Sequence, residues 1–208
     1  RPVEKGHIFL DGKEITNLSP KKVRAVGLAH IPEDRNTRGL NRTMSIEENL
    51  VAVEVDKAPY SKGMVMNSPA MDKHAEEMVK LFDIRPTDYK LPTSSLSGGN
   101  AQKVVVAREV SMNKKLLVAA QPTRGVDIGA IESIQKTLEE AKKNGAGVLL
   151  VSTELEEITS LSDRIIVIHE GKITGELSAG EANENNLGLL MMGGSVEKKL
   201  EKEGEAHE

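Results

Sequence analysis

The sequence predicts an α/β domain with a largely parallel sheet, and three observations support this prediction. Short, continuous apolar runs at Leu28–Ile31, Lys115–Ala120 and Ala146–Thr153 have the length and composition of buried strands. Segments with helical periodicity lie between these runs, and alternating strands and helices are typical of a parallel sheet. The 208 residues fit one large domain or two closely packed subdomains.

Turn and capping signals define the first half of the chain. Asp11-Gly12 is a hairpin signal, Ser19-Pro20 an N-cap followed by a first helical residue, and Ser45 with Glu48 a capping box. The predicted order begins with a hairpin of His7–Leu10 and Lys13–Ile15, a helix from Pro20 to near Gly27, the strand Leu28–Ile31 and a polar loop through Gly39. A helix after Ser45, an irregular stretch over 52–67 and a helix from Ser68 follow. The last helix has Met71, Ala75, Met78, Val79 and Phe82 on one face.

Strands and helices alternate more regularly in the second half. The predicted order begins with a connector from Ile84 to Leu96, a helix from the Ser97-Gly98-Gly99 turn to about Met112 and the strand Lys115–Ala120. A helix over Ile128–Lys143, ended by Asn144-Gly145, the buried strand Ala146–Thr153 and a short acidic helix through Ser160 follow. The predicted last elements are a hairpin of Arg164–Ile168 and Lys172–Leu177, a helix near Glu181–Met192 and a charged, frayed tail after Gly194.

Composition excludes several classes of function. A net charge of −4 and an aromatic content of 2% argue against a nucleic-acid surface. Because the chain has no cysteine, disulfides and thiolate metal sites are excluded. His74 and His169 have no neighbours at metal-ligand spacing, so no metal site is expected. The longest apolar runs are too short to cross a bilayer, so we expect any membrane connection to run through a partner.

The sharpest local motif is Leu96–Lys103, with the sequence LSGGNAQK. Gly98 and Gly99 let the backbone approach a ligand closely, Ser97 adds a hydroxyl, and the following helix directs its free N–H groups to the same place. These groups suit a phosphate. Taken alone, the motif is more often a flexible loop that precedes a capped helix.

A second motif, Leu116–Asp127 with the sequence LLVAAQPTRGVD, follows one helix later. A buried strand that ends in a polar turn is where α/β sheets bind ligands. The order of the two motifs resembles the ABC ATPase family, in which they are the signature motif, Walker B and the D-loop. The resemblance implies a P-loop NTPase-like ABC ATPase domain, with a mostly parallel sheet and a helical signature subdomain, lacking the Walker A strand, loop and helix.

The resemblance extends over nearly the whole chain. It places Glu33 at the Q-loop position and Thr153 at the switch position, and it is closest to the second half of duplicated importer ATPases for simple sugars and nucleosides. Ala119-Ala120-Gln121 favours the nucleoside group. The expected parts are an N-terminal part of the core (1–32), the Q-loop region with the signature subdomain (33–112), the Walker B, D-loop and switch part (113–194) and a charged tail (195–208).

Three departures from the family pattern bear on mechanism. No Gly-x-x-x-x-Gly-Lys-Ser/Thr motif occurs in the sequence, and the family has it just before the part that matches Arg1–Gly6. Ala120 occupies the position of the Mg²⁺-associated Asp, so no metal ligand is expected there, and Gln121 occupies that of the catalytic Glu. Thr153 stands where His is usual. General-base catalysis typically contributes ~10²–10⁴-fold, so this chain alone is expected to be inactive.

The resemblance implies an asymmetric pair of modules that share ATP with Mg²⁺ at their interface, with none tightly bound to this chain alone. Catalytic-site positions fall on Glu33, Gln121 and Thr153, and nucleotide-binding positions on Ser97, Gly98, Gly99, Asn100, Gln102 and Asp127. Two alternatives stay open, namely drift in a non-functional copy and a non-catalytic ABC-like interaction domain. A free-standing ATPase is disfavoured by the absent phosphate loop.

The implied partners are the other ATPase half, the transmembrane permease subunits and, indirectly, a solute-binding protein. The expected location is peripheral, on the cytoplasmic face of the cell membrane. Contact with the permease is expected through the Glu33 loop and the neighbouring region 40–70. The strands at Ala146–Thr153 and Arg164–Ile168 are each expected to lack one ladder neighbour, which predicts a weakly stable isolated chain or one that recruits another strand.

Overall fold

The computed structural model describes residues 2–112 and 114–196. It divides into two compact units, Arg1–Ser152 and Thr153–Glu208. The four-part division expected from the sequence stays a prediction, and most of the expected tail lies outside the described residues. No helix in the described part of the chain is long and apolar enough to cross a membrane.

The first unit is organised around a parallel three-stranded sheet. Its strands are β3 (Leu28–Ile31), β6 (Leu116–Ala120) and β7 (Gly147–Val151), in the order β3-β6-β7. The predicted α/β class and all three predicted strands are confirmed. Leu28 pairs with Leu116, which pairs in turn with Gly147, so the polar ends of β3 and β6 lie side by side.

One face of this sheet is the core of the unit. Ala29, Ile31, Leu117 and Ala119 alternate along their strands and are fully buried. They lie under two helices, α4 (Gly98–Ser111) and α5 (Ile128–Lys143), of which α4 contacts β3 and α5 contacts β7. Packing on this core therefore holds both helices against the sheet.

Strand β7 corrects one expectation. It was predicted to be buried, but the side chains of Leu149 and Val151 are 52% and 51% exposed. Val148 and Leu150 pair with the core-facing Leu117 and Ala119 and are partly buried. Leu149 and Val151 alternate with them and therefore lie on the opposite face of the sheet, at an edge strand that pairs with β6 alone among the described strands.

Short hairpins and capped helices complete the first unit. The hairpin of β1 (Phe9–Leu10) and β2 (Lys13–Glu14) turns through Asp11 and Gly12 at φ 51° and 73°. Positive φ at both central residues is typical of a type I′ turn, as the Asp-Gly pair predicts. The helices are α1 (Pro20–Val26), α2 (Ile46–Val51), which has the predicted Ser45–Glu48 capping box, and α3 (Ser68–Leu81).

Two segments are more ordered than the sequence indicates. The predicted polar loop after β3 contains a π-helical turn, Arg35–Gly39, because the Asp34 carboxylate accepts hydrogen bonds from Asn36 N and Thr37 N at 2.9 and 3.2 Å. The stretch predicted to be irregular contains a hairpin of β4 (Ser61–Lys62) and β5 (Val65–Met66). Gly63, at φ 65°, supplies its turn.

The second unit is built around an antiparallel hairpin. It contains α6 (Leu155–Leu161), the strands β8 (Arg164–His169) and β9 (Lys172–Ser178), and α7 (Glu184–Met191). The predicted hairpin is confirmed, and α7 starts three residues later than predicted. Among its described residues, the buried core consists of Ile165, Val167, Leu177, Leu187 and Leu190.

Candidate functional site

The Ser97-Gly98-Gly99 corner is the start of α4. Ser97 is the N-cap residue, and its Oγ accepts a hydrogen bond from the Asn100 side-chain amide at 3.0 Å and a longer one from Asn100 N at 3.4 Å. Asn100 Oδ1 in turn accepts from Arg85 N at 2.7 Å. The N–H groups of Gly98 and Gly99 have no acceptor within the helix. With the helix dipole, they make the corner suitable for an anion.

Both glycines of the corner are in close contact with other segments. A Cβ on Gly98 would lie 2.9 Å from Arg35 Nη2 and 3.1 Å from the Gly125 carbonyl oxygen. A Cβ on Gly99 would lie 2.5 Å from Asp127 Oδ2 and 3.1 Å from Ala130 Cβ. A larger residue at either position would therefore displace a neighbouring group, and the corner lies directly against the turn that follows β6.

That turn runs from Gln121 to Asp127. Gln121 has a φ of 48°, in the left-handed region, and its N–H donates to the Val151 carbonyl at 2.7 Å, which extends the β6–β7 ladder by one bond. Asp127 is the N-cap of α5, where its carboxylate accepts from Ala130 N at 3.0 Å. The predicted site residues Gln121 and Asp127 thus bracket one turn at the carboxyl end of β6.

Two side chains from other segments hold the carbonyl groups of this turn. Arg35 donates from Nη1 to the Arg124 carbonyl at 2.7 Å and from Nη2 to the Gly125 carbonyl at 3.0 Å. Gln102 donates from Nε2 to the Pro122 carbonyl at 2.7 Å. Gln102 is only 2% exposed, so its side chain is buried against the turn. Its assignment to nucleotide binding stays a prediction.

Glu33 contacts the same turn. Its carboxylate forms an ion pair with the Arg124 guanidinium, and both side chains are more than half exposed. An open cleft of about 470 Å³ lies here, lined by Glu33, Asp34, Arg35, Asn36, Arg124 and Gly125. The structure therefore brings three predicted site regions together in the first unit, namely the Glu33 segment, the Ser97–Asn100 corner and the Gln121–Asp127 turn.

The remaining predicted positions are less informative. Ala120 ends β6 opposite Val151, and its methyl side chain offers no ligand atom for a cation. Thr153 is the first residue of the second unit, and its switch assignment stays a prediction.

Within residues 2–112 and 114–196, no group of three or more acidic or histidine side chains could hold a metal ion. His74 is in contact with the Tyr60 ring, with centroids 5.3 Å apart, and burial lowers its pKa.

The sequence did not identify Arg35 as a site residue. It stands in the polar segment after β3, and the carbonyl groups it binds lie 89 and 90 positions further along the chain. No local signal predicts a side-chain contact over that separation, because the register of β3 with β6 brings the two segments together.

Comparison with known proteins places this geometry in a family. The ABC transporter family model matches residues 1–124. The chain is 43% identical over 194 residues to the nucleoside import ATP-binding protein NupA of Lactococcus lactis subsp. cremoris, covering 93% of the chain and 38% of the relative. It is 46% identical over 193 residues to the guanosine import ATP-binding protein NupO of Bacillus subtilis, with the same coverage. The chain thus spans a little over a third of the length of these relatives.

Solved structures show the same fold. The ATP-binding cassette MJ0796, in a dimeric post-hydrolysis state bound to ADP and Pi, has a TM-score of 0.72 at 21% identity. That match covers 86% of this chain and 75% of the other. The ADP conformation of MJ1267, an ATP-binding cassette of an ABC transporter, has a TM-score of 0.71 at 23% identity over 90% of this chain and 75% of the other. With the family match and the identities to import proteins, these likenesses lead to one conclusion: the chain belongs to the ABC transporter family, as an ATP-binding domain.

Proposed function

We propose that this chain is the energy-coupling ATP-binding module of an ABC importer for nucleosides or simple sugars. Relatives that are 37% to 46% identical include proteins named for the import of nucleosides, guanosine, glucose, ribose and xylose. In this proposal, the chain contributes its Ser97–Asn100 corner to a nucleotide whose other contacts come from a second ATPase half.

The observation that supports this role most directly is the geometry of the corner. Ser97 is exposed, and it lies beside the Gly98 and Gly99 N–H groups, which have no acceptor within the helix. Three donors at one helix N-terminus fit the oxygen atoms of a phosphate. Bound ATP would supply the phosphoanhydride bond whose hydrolysis provides the energy. The corner would orient and stabilise the terminal phosphate through hydrogen bonds.

The residues at the end of β6 fit a chain that does not itself supply the groups for ATP hydrolysis. The Ala120 side chain has no oxygen ligand for Mg²⁺, so this position does not fit a resident metal. Gln121 has the shape of Glu but cannot accept a proton as a base. We therefore propose an asymmetric pair in which Mg²⁺ and the hydrolytic residues belong to the site completed by the Ser97–Asn100 corner, with Walker residues from the other half.

Partner contact is proposed through the Glu33 segment and the region 40–70. The hairpin after α2 carries Met64, Val65 and Met66, which are 101%, 72% and 53% exposed. An exposed apolar cluster of this kind favours contact with another protein. We propose that these residues and the Glu33 segment contact the membrane-spanning permease subunits, which would place the chain on the cytoplasmic face of the membrane.

The test is ATP hydrolysis by the assembled transporter in which the full-length ATP-binding protein carries Ser97→Arg. A bulky side chain at the corner blocks the approach of a phosphate, so phosphate release should fall by about tenfold or more. Ser94→Arg is the matched control, because Ser94 is an exposed serine three residues away that lies outside the corner. An unchanged rate in the Ser97→Arg protein would exclude the proposed function and favour a non-catalytic interaction domain.

A further inference from the structure

Arg35 is the side chain that connects the three parts of the candidate site. Its two terminal nitrogens donate to the carbonyl groups of Arg124 and Gly125 at 2.7 and 3.0 Å. The same Nη2 atom lies 2.9 Å from the position that a Cβ of Gly98 would take. Its backbone is two residues from Glu33. One guanidinium therefore contacts the turn and the corner from the segment that bears Glu33.

The backbone around Arg35 is held by local hydrogen bonds. The Asp34 carboxylate accepts from Asn36 N, Thr37 N and the Thr37 hydroxyl, the last at 2.7 Å. The Arg35 carbonyl accepts from Leu40 N at 2.8 Å, which closes the π-helical turn. Because the turn is capped at its first residue and closed at its last, a displacement of the Glu33 segment displaces the guanidinium with it.

The geometry of the contact requires arginine. A guanidinium presents parallel N–H donors in a fixed plane, so it can bind two successive carbonyl oxygens at once, whereas a lysine ammonium is a single point charge on a flexible stem. The Arg35 Nε atom is buried and has no acceptor among the described atoms. An unpaired buried donor lowers the stability of the folded state. The position of this side chain is therefore better explained by the carbonyl groups that Nη1 and Nη2 bind than by a contribution to stability.

We propose that Arg35 is a positioning residue. It holds the Gln121–Asp127 turn and the Ser97–Asn100 corner in fixed positions relative to each other, and it transmits movement of the Glu33 segment to both. The inference rests on the proposed function, because it concerns how the corner is presented to the nucleotide. Arg35 itself does not touch the phosphate. It acts through the carbonyl groups of Arg124 and Gly125 and through its contact with Gly98.

The test compares Arg35→Lys with Arg38→Lys in the assembled transporter that carries the full-length protein. Arg38 is the matched control, since it lies on the same π-helical turn and is exposed. Arg35→Lys should lower kcat for ATP hydrolysis by ~10- to 100-fold, the size of effect expected from a misplaced group. KM for ATP should change by less than about threefold, since binding depends on residues of the other half. Arg38→Lys should match the wild type in both.

Hydrogen exchange supplies a readout that does not depend on activity. Peptides covering 97–101 and 122–127 should exchange faster in the Arg35→Lys protein than in the wild type, while peptides in the second unit should be unchanged. Arg35→Gln, which is shorter and lacks the two terminal nitrogens of the guanidinium, should give the same pattern. Unchanged exchange in these peptides, or an unchanged kcat, would overturn the inference.

The outcome for Ser97→Arg separates the two proposals. If Ser97→Arg abolishes hydrolysis and Arg35→Lys does not lower it, the proposed function stands and the positioning role of Arg35 is wrong. If Ser97→Arg has no effect, the proposed function fails, and the inference about Arg35 fails with it. A uniform loss of protection in both units of the Arg35→Lys protein would mean a purely structural role and would also overturn the inference.

Discussion

The guanidinium of Arg24 donates two hydrogen bonds to the fully buried carboxylate of Glu109, at 2.8 and 3.2 Å. The same carboxylate accepts from His30 N at 3.0 Å and from Arg108 Nε at 3.1 Å. Glu109 thereby connects α1, β3 and α4, the helix whose N-terminus forms the candidate corner.

Glu109→Gln should destabilise the first unit strongly. It removes the negative charge that compensates Arg24 and the nearly buried Arg108, and breaking a buried ion pair on one side costs about 3–5 kcal/mol. The free energy of unfolding, measured in urea, should fall by about that amount. The control is Glu139→Gln, because the Glu139–Lys143 pair is exposed at 3.3 Å and should contribute less than about 0.5 kcal/mol. Equal effects of the two changes would contradict this account.

The stability of the wild type should also depend on pH through Glu109. Burial favours the neutral acid, but hydrogen bonds and charges from Arg24 and Arg108 outweigh burial, so the pKa of Glu109 lies below its usual 4.5. A carboxyl group with a lowered pKa stabilises the folded state fully above pH 4.5, and that contribution is lost as the pH falls through the folded pKa. The difference in unfolding free energy between wild type and Glu109→Gln should therefore be constant above about pH 5 and shrink below pH 4.5. A difference that stays constant down to pH 3 would contradict the assignment.

Gly99→Ala should destabilise the protein although alanine favours helices. The added Cβ would lie 2.5 Å from Asp127 Oδ2, so either the corner or the Asp127 cap has to move. Overpacking of this kind costs about 1–3 kcal/mol, more than the ~1 kcal/mol that alanine gains over glycine in a helix.

Gly129→Ala is the matched control for Gly99→Ala. Gly129 is the second helical residue of α5, as Gly99 is of α4, and the nearest atom to its Cβ would be Asp127 Oδ1 at an ordinary 3.6 Å. Urea unfolding should show that Gly129→Ala is neutral or slightly stabilising. A loss of stability for Gly129→Ala as large as that for Gly99→Ala would rule out steric contact as the cause.

Ser45→Ala should show the value of a complete capping box. The Ser45 hydroxyl accepts from Glu48 N at 3.1 Å, and the Glu48 carboxylate accepts from Ser45 N at 2.8 Å. Loss of an N-cap side chain costs about 1 kcal/mol. Ser19 is also an N-cap residue, but its side chain makes no capping hydrogen bond, so Ser19→Ala should change the unfolding free energy much less. Thermal or urea unfolding of the two variants tests this, and an equal loss in both would contradict it.

Much of the fold was predictable because its signals are local. The Ser45–Glu48 box, the Asp11-Gly12 turn and the period of Ile128–Lys143 act over at most a few helical turns, and each predicted element is present. The bounds of β3 and α5 agree with the prediction residue for residue. The pairing of β7 on one side only was expected, but the exposure of Leu149 and Val151 was missed, because exposure depends on what covers each face of the sheet and not on the strand's own apolar residues.

The sequence by itself determined the α/β class, the order of the elements and the residue types of the corner and the turn. These follow from hydrophobic period, capping and glycine positions, all of which act between near neighbours in the chain. Only the tertiary structure decided that Arg35 holds the carbonyl groups of Arg124 and Gly125, and that Glu109 joins Arg24. Contacts across 85 to 90 positions depend on strand register and helix packing, which no local propensity encodes.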